Sequence, residues 1–298
     1  MKNHRDLVGY ARNIPKASWP NDASVAIQIV VNYEEGGERS PLYGDSESES
    51  FLLEQPTAAS SRRDLNAESQ YEFGSRSGFW RLHRLLTERN IPVTVFGVAS
   101  AMAQNPDAVS AMMEAGWEVA SHGLRWRSYA DVDRSTEHEE IQKAIDLHTK
   151  LTGSRPTGWY TGRMSPNTRE LLCECGGFLY DSNAFNDELP YWVDVKESKK
   201  HLVIPYTHDC NDMRYLTPYG FQFERFSTYL LETLDLFRRE GRTCPKMMSV
   251  GLHNRISGRA GRARDLERFL DELVRASDVW LATRVAIAEH WHAHHKPE

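Results

Sequence analysis

The sequence predicts an α/β fold, in which a mainly parallel sheet closes into a barrel surrounded by helices. Short apolar runs rich in β-branched residues alternate with segments of helical periodicity from Val25 to the end of the chain, which is the pattern of repeated β-α units. Six or more such units follow one another without a long linker, so one domain over residues 1–298 is favoured over two. A doubly wound sheet is the alternative, but its Gly-x-Gly-x-x-Gly fingerprint does not follow the first strand.

Each predicted strand is an apolar run bounded by turn-forming residues. The first covers residues 25–31 and contains only alanine, isoleucine and valine apart from one glutamine, so we expect it to be buried on both faces. The other predicted strands cover residues 92–98, 117–121, 157–160, 178–181, 201–205, 246–252 and 279–283.

Amphipathic segments between these strands predict the helices. In residues 133–151 the first turn is acidic, Ile141, Ala144 and Ile145 form an apolar stripe, and Gly153 ends the helix. The other predicted helices cover residues 77–90, 106–115, 166–175, 222–240 and 261–276. Residues 37–76 are polar and lack periodicity, so we expect an irregular insertion that acts as a lid or as a subunit contact.

The bulk composition is that of a globular protein and argues against several functional classes. Of the 298 residues, 40% are hydrophobic and 26% are charged, and the formal net charge is −6. A nucleic-acid partner would require a basic surface and is not expected. No apolar segment approaches the ~20 residues that span a membrane, the polar N-terminus lacks a secretory signal, and four scattered cysteines suggest no disulfide framework. We therefore expect a cytoplasmic protein without a membrane partner.

Polar and ionisable side chains follow nearly every predicted strand, at the end of a barrel where active sites form. Glu34 and Glu35 follow the first strand, and a Gly-Gly pair behind them allows the backbone to fold closely around a ligand. The other candidates at strand ends are His122, Arg163, Asn211 and His253. Together they predict one site that combines a carboxylate, two histidines and an arginine.

These residues also have structural interpretations. Glu34 and Glu35 fit a solvated turn, and consecutive residues at a strand end diverge, so at most one of them is expected to carry the chemistry. The two histidines fit hydrogen-bonded core residues, and Arg163 fits an ion pair with a structural carboxylate. Asp181, which ends the fifth predicted strand, is interpreted as structural, capping the next turn.

The sequence around His122 argues against a metal centre. A catalytic zinc typically takes two histidines and a carboxylate. Four residues after His122 the chain has Trp126, whose indole cannot ligate a metal. We therefore predict no metal and no other cofactor.

Four strand-end motifs, "NYEEGGE", "SHGLRW", "GWYTGRMSPN" and the final Leu-His, together resemble those of the polysaccharide deacetylase superfamily, also called the NodB-homology family. The resemblance implies a distorted β/α barrel. It places Glu34 where the family has its general base and Glu35 where it has a metal-ligating aspartate. "SHGLRW" keeps the first histidine of the family's His-x-x-x-His motif and replaces the second with Trp126, and His253 is kept. "GWYTGRMSPN" departs from the family's Arg-x-Pro motif, although Arg163 lies within it.

The departures are similar to one branch of that superfamily. "NYEEGGE", "SHGxRW", "GWYTGR", "GGFLYDS", "LPYW", "HLVIPYT", "NDMR" and "GLHxRxxGR" resemble the cofactor-independent allantoinases over about residues 5–292. The resemblance implies metal-free hydrolysis of the hydantoin ring of allantoin to allantoate by a cytoplasmic homotetramer. Hydrolases of related cyclic imides or hydantoins are the alternative, and a catalytically silent barrel that binds a purine-degradation metabolite is the third interpretation.

Ring-amide hydrolysis gives each candidate residue a role. The reaction needs a base for water, a donor to the developing oxyanion and a proton for the leaving nitrogen. We assign the base to Glu35 or Glu34, the proton donor to His253, and oxyanion donation or substrate orientation to His122. The substrate-binding candidates are Trp126, to close the site and stack on a flat ring, Arg163, to bind carbonyl oxygens, and Asn211, to bind a ureido arm.

Overall fold

The centre of the structure, a computed structural model that describes residues 5–55, 58–195, 199–216 and 226–297, is one sheet built around a buried strand. This strand, β1 (Val25–Tyr33), is buried at every position because its side chains are covered on both faces. The strands that follow it along the chain are β2 (Val93–Gly97), β3 (Glu118–Ser121), β4 (Gly158–Trp159), β5 (Tyr180–Asp181), β6 (Tyr191–Val195), β7 (Lys199–Val203), β8 (Lys246–His253) and β9 (Val279–Leu281).

The strand order makes the sheet a distorted half-barrel. Among the described strands the order is β6-β7-β5-β4-β3-β2-β1-β8, and β6–β7 is antiparallel while the other pairs are parallel. β8 pairs with β1 over residues 25–32, so β2 and β9 share the opposite edge of β1. Beyond β8 a bridge between Asn211 and Gly251 continues the curl. The predicted distorted β/α barrel is confirmed, and the doubly wound alternative is wrong.

The helices pack mainly against the outer face of this sheet. They are α1 (Leu65–Phe73), α2 (Phe79–Thr87), α3 (Ala99–Gln104), α4 (Pro106–Glu114), α5 (Arg134–Thr152), α6 (Thr168–Cys175), α7 (Phe226–Gly241), α8 (Asn254–Ser257), α9 (Ala260–Leu273) and α10 (Arg284–His294). A π-helical turn at Gly74–Gly78 joins α1 to α2. Within the described ranges, none of these helices has the length and apolar character needed to cross a membrane.

The predicted elements match the structure with specific exceptions. The eight predicted strands are present, but β6, α1, α3, α8 and α10 were not predicted. The predicted irregular segment 37–76 is wrong at its C-terminal end, because α1 begins at Leu65 after Asp64 caps its first turn. α6 begins at Thr168, two residues later than predicted. Residues 222–225 of one predicted helix lie outside the described residues.

The side chains of β1 alternate between two environments, and this alternation positions the site. Val25, Ile27, Ile29 and Val31 belong to the large apolar core that includes the outer helices. On the opposite face, Val30 packs against Tyr206, and Asn32 donates to the hydroxyl of Tyr206 in the interior of the half-barrel. Since strand side chains alternate with a period of two, the next inward position after Asn32 is residue 34, whereas residue 35 follows the outward series.

Candidate active site

A cavity of about 190 Å³ opens at the carboxyl ends of the strands. Its lining contains six of the seven candidate residues from the sequence, namely Glu34, His122, Trp126, Arg163, Asn211 and His253. The rest of the wall comes from Asn32, Phe51, Leu52, Tyr160, Thr161, Gly162, Tyr206, His208 and Met213. The structure thus brings these six predicted residues together around one small cavity, and it leaves Glu35 outside the lining.

Glu34 lies between two histidines at the base of this cavity. Its Oε1 is 3.4 Å from Nε2 of His122 and 3.6 Å from Nε2 of His253, and its Oε2 is 2.7 Å from Nη1 of Arg255. Burial opposes ionisation of Glu34, but the charges of Arg255 and His253 outweigh it and hold the pKa of this carboxyl well below its usual range. Glu34 is therefore a carboxylate at neutral pH.

His253 is held as an imidazolium by two carboxylates. Its Nδ1 donates to Oδ1 of Asp212 at 2.7 Å, while its Nε2 faces Glu34. Burial lowers the pKa of His253, but Glu34 and Asp212 raise it further, to about 9. At neutral pH the cavity therefore presents a carboxylate and a protonated histidine side by side, one able to accept a proton and the other able to donate one.

Glu35 faces away from this cavity, towards the turn between α1 and α2. Its Oε2 accepts hydrogen bonds from Nδ2 of Asn254 at 2.9 Å and from the backbone N–H of Glu34 at 3.2 Å. It lines a second cavity together with Glu38 and Tyr71. Burial raises the pKa of Glu35 despite the nearby guanidinium of Arg255. The two neighbouring glutamates thus diverge as expected, and Glu34 is the one beside the histidines.

Two residues that were not predicted complete the charge arrangement. Asp212 fixes His253 through both its ring and its backbone, because Oδ2 accepts from the backbone N–H of His253 at 2.7 Å. Arg255 is 2% exposed and contacts both glutamates, at 2.7 Å from Glu34 and 3.7 Å from Glu35. Both residues stand in segments that the sequence singled out, "NDMR" and "GLHNR", but their pairing depends on how strand ends meet in the fold.

The side wall of the cavity is aromatic and cationic. The guanidinium of Arg163 lies 4.4 Å from the ring centre of Trp126 and 5.2 Å from that of Phe51. Among the described residues no carboxylate lies within ion-pair distance of Arg163, so its charge is available to a ligand. Trp126 is 6% exposed and packs against Phe51 and Tyr71, so it closes the wall.

The amide of Asn211 is already engaged by the protein. Its Nδ2 donates to the carbonyl oxygen of Thr207 at 3.2 Å, and its Oδ1 accepts from the backbone N–H of Met213 at 3.0 Å. Asn211 therefore shapes the wall of the cavity. Because both ends of its amide already form hydrogen bonds with the protein, the amide is not free to bind a ureido arm.

The side chains around Glu34 do not fit a divalent metal of the kind implied by the resemblance to the polysaccharide deacetylase superfamily. Trp126 stands at the position of the second histidine and supplies no lone pair for a metal. The guanidinium of Arg255 already contacts Glu34 at 2.7 Å, so a metal cation there would face a fixed positive charge. Among the described residues no three histidine, cysteine, aspartate or glutamate side chains form a group that could hold a metal ion.

Comparisons with known proteins agree on the fold. The family model described as polysaccharide deacetylase matches residues 68–176. A Schizosaccharomyces pombe protein named "putative polysaccharide deacetylase" is 41% identical over 316 aligned positions, which cover 99% of this chain and 99% of that protein.

Two solved structures are similar to the whole chain. The "probable polysaccharide deacetylase" of Pseudomonas aeruginosa PAO1 is 50% identical, with a TM-score of 0.95 over 99% of both chains. The structure named Puue allantoinase is 47% identical, with a TM-score of 0.96 over 100% of both chains.

Proposed function

The chain belongs to the polysaccharide deacetylase family, and we propose that it is a cyclic amide hydrolase that opens the ring of allantoin to give allantoate. The family and its allantoinase neighbour make the protein a hydrolase. The proposal of cyclic amide hydrolysis rests on one observation: the Glu34 carboxylate lies between two histidines, in a cavity whose donor set does not fit a metal. The full-length similarity to an allantoinase supports the choice of ring.

The charge arrangement supports a complete acid–base cycle. Glu34 takes a proton from water, and the hydroxide attacks the ring carbonyl carbon to give a tetrahedral oxyanion. His122, on the other side of Glu34, orients the substrate or donates to that oxyanion. His253 gives its proton to the ring nitrogen as the C–N bond breaks. The opened product, which carries the new carboxylic acid group and a ureido group, is then released as one molecule. Glu34 then returns its proton to solvent, and His253 is reprotonated.

Arg163 and the small size of the cavity support a compact, carbonyl-rich substrate. A guanidinium binds carbonyl oxygens through its planar fork, and that of Arg163 faces the cavity without a carboxylate partner among the described residues. A ring nitrogen between two carbonyl groups is a better leaving group than a simple amide nitrogen. The reaction therefore needs less help from a Lewis acid than deacetylation of an N-acetylated sugar does.

The engaged amide of Asn211 favours a second candidate function, hydrolysis of cyclic imides or hydantoins that lack a ureido arm. Because Asn211 already bonds Thr207 and Met213, Arg163 is the remaining candidate contact for such an arm. The catalytically silent alternative is disfavoured, since a silent barrel has no need of a buried carboxylate–imidazolium pair.

A substrate panel tests the proposal. Purified protein, with and without EDTA, is incubated with allantoin, hydantoin, succinimide and an N-acetylated sugar. We expect allantoate to form at the same rate in both samples. Turnover of hydantoin or succinimide without turnover of allantoin would transfer the assignment to the second candidate. Activity that EDTA abolishes and zinc restores would overturn the metal-free mechanism. No turnover of any compound would support the silent barrel.

A further inference from the structure

The wall of the cavity contains a tyrosine that has no part in the charge arrangement around Glu34. Tyr160 directly follows β4 and lines the cavity. It is 6% exposed and packs in the interior of the half-barrel. A buried tyrosine usually has a hydrogen-bond partner for its hydroxyl, so the surroundings of this hydroxyl indicate what it can do.

Three neighbouring rings and one backbone hydrogen bond fix the orientation of Tyr160. Its ring stacks on Phe96, with centres 4.7 Å apart and planes at 26°, and meets the ring of Tyr206 edge-on at 4.9 Å. The ring of His122 is also centred 4.9 Å away. The backbone N–H of Tyr160 donates to the carbonyl oxygen of Ser121 at 2.9 Å. The phenol is therefore held in one position beside a histidine of the site.

Among the described residues, the hydroxyl of Tyr160 has no hydrogen-bond partner, whereas the two other hydroxyls of the lining have one. The hydroxyl of Tyr206 accepts from Nδ2 of Asn32 at 3.0 Å. The hydroxyl of Thr161 donates to Oδ1 of Asn183 at 2.9 Å. The Tyr160 hydroxyl is thus the one whose proton and lone pairs are both available to a ligand.

A glycine leaves room for a ligand at this hydroxyl. Gly162 has a φ of +72°, a conformation that glycine adopts without strain. A Cβ at this position would lie 2.8 Å from the hydroxyl oxygen of Tyr160, and Gly162 itself lines the cavity. Any other residue at position 162 would therefore crowd the hydroxyl from the side of the cavity.

The hydroxyl of Tyr160 acts as a neutral donor. Burial raises the pKa of Tyr160 well above its usual value, and the neighbouring Tyr206 and Glu34 raise it further. The phenol therefore keeps its proton at neutral pH. A hydrogen bond from such a donor becomes stronger when the acceptor oxygen gains negative charge, and a fixed donor in a buried site stabilises an oxyanion more than water does.

We propose that the hydroxyl of Tyr160 donates a hydrogen bond to the carbonyl oxygen of the ring amide and stabilises the oxyanion that forms there. This inference rests on the proposed function, because it names a further catalytic residue of that reaction. As hydroxide adds to the carbonyl carbon, one electron pair of the C=O bond moves to the oxygen, and Tyr160 binds this oxygen without giving up its proton. The pair then re-forms the C=O bond as the C–N bond breaks and His253 protonates the nitrogen.

Tyr160→Phe and a matched control test this role. Tyr160→Phe removes the hydroxyl and keeps the ring. The control is Tyr33→Phe, because Tyr33 is fully buried, its hydroxyl likewise has no partner within the described ranges, and it lies outside the cavity lining. For the wild type and both variants, kcat and KM are measured on allantoin and hydantoin, and stability is measured by urea unfolding. Tyr160→Phe is also combined with Glu34→Gln, whose slow turnover lets calorimetry measure substrate binding.

We expect Tyr160→Phe to lower kcat by about 100-fold, the scale of one lost oxyanion donor, while Tyr33→Phe keeps the kcat of the wild type. KM should change less than about tenfold, since the bond to the uncharged carbonyl oxygen is weaker than the bond to the oxyanion. Substrate binding in the Glu34→Gln background should weaken by the same small factor. The urea midpoint of Tyr160→Phe should equal that of the wild type, because the lost hydroxyl leaves no protein group unpaired.

Three results would overturn the role of Tyr160 but not the proposed function. They are an unchanged kcat in Tyr160→Phe, an equal fall of kcat in Tyr33→Phe, and a Tyr160→Phe variant that is destabilised or fails to fold, which would assign the hydroxyl to the fold. If the wild type hydrolyses neither compound, the proposed function fails and calorimetry on the wild type and Tyr160→Phe decides. Weaker binding of hydantoin by Tyr160→Phe would support the hydrogen bond to a carbonyl oxygen, whereas equal binding or no binding would overturn both.

Discussion

At the residue scale, the two adjacent glutamates have different chemical states because they face different surroundings. Glu34 continues the inward series of β1 and meets two histidines and Arg255, which hold its pKa low. Glu35 continues the outward series and meets Asn254 and a second cavity, where burial raises its pKa. The sequence alone leaves the base open between the two, although the motif resemblance places Glu34 at the general-base position, and the period-two pattern of the strand agrees with Glu34 as the inward residue.

This difference predicts that two matched substitutions have unequal effects on kcat. Glu34→Gln removes the base and should lower kcat on the ring substrate by ~100-fold or more. Glu35→Gln replaces a side chain outside the cavity whose protonated form glutamine resembles, so kcat should change much less. Denaturant unfolding of both variants controls for stability, since Glu34→Gln leaves the buried Arg255 with a weaker partner. Loss of activity in Glu35→Gln with retention in Glu34→Gln would move the base to Glu35.

The protonated state of His253 predicts an alkaline limit to activity. The donor form is present below its pKa of about 9 and is lost above it, so kcat/KM should fall as the pH rises past that value. Asp212→Asn removes a charge that raises this pKa, and it should shift the alkaline limb to lower pH. A pH–rate profile from pH 6 to 10.5 measures both effects. An alkaline limb that stays in place in Asp212→Asn would contradict the assignment of His253 as the donor.

At the scale of elements, the π-helical turn between α1 and α2 makes room for the short helix that carries Arg255. Gly74 lies against the Glu35 carboxylate, and Gly78 lies against the backbone of Asn254 at the start of α8. A Cβ at Gly78 would overlap the carbonyl oxygen of Asn254, and backbone cannot move aside as a flexible side chain can. The glycines in "FGSRSGF" are thus required by close approach rather than by turn conformation.

Gly78→Ala should therefore destabilise the fold and the site together. We expect a loss of about 1–3 kcal/mol in the free energy of unfolding, the range for overpacked interiors, with a fall in kcat because α8 also carries Arg255. Ser77→Ala is the matched control, since Ser77 lies in the same turn and is exposed. Equal unfolding midpoints for the two variants in urea would show that the contact between Gly78 and Asn254 relaxes without cost.

The elements that sequence patterns failed to predict share a physical feature, which is weak or absent amphipathic periodicity. α1 buries only Ala67 and Tyr71, and its start depends on a cap at Asp64. β6 is a half-buried antiparallel strand at the edge of the sheet, so it lacks a continuous apolar run. By contrast, β1, β2 and β8 are buried at nearly every position, and their sequences are the continuous apolar runs from which they were predicted.

At the scale of the whole molecule, the site depends on contacts between residues far apart in the chain. Arg255 and Glu34 lie near opposite ends of the chain, and they meet only because β8 pairs with β1 in parallel. The strand-end principle places both segments at one edge of the sheet. It does not give the side-chain pairings, which is why the catalytic glutamate, its arginine and the Asp212 partner of His253 required the structure.

A second long-range charge cluster, away from the cavity lining, links the stability of the whole chain to pH. His201 on β7 has its Nε2 3.1 Å from Oδ2 of Asp181 on β5, and Nε of Arg169 on α6 donates to the same oxygen at 2.7 Å. Burial lowers the pKa of His201, but Asp181 and Cys173 raise it to about 9. Asp181 also accepts from the backbone N–H of Asn183 at 2.8 Å, which agrees with its interpretation as a structural residue.

The sign of the resulting pH dependence follows from proton linkage. The folded state binds a proton at His201 more tightly than the unfolded state, whose histidine titrates near 6.5. The stability from this histidine is fully present below 6.5 and is lost as the pH rises through about 9, with a limiting slope of about 1.4 kcal/mol per pH unit. His253 contributes in the same direction, so the free energy of unfolding should fall over this window.

In His201→Gln the fall in the free energy of unfolding should be shallower, as measured by urea unfolding at pH 6, 7.5 and 9. Parallel curves for the variant and the wild type would mean that His201 is not protonated in the folded protein, and that Arg169 alone balances the charge of Asp181.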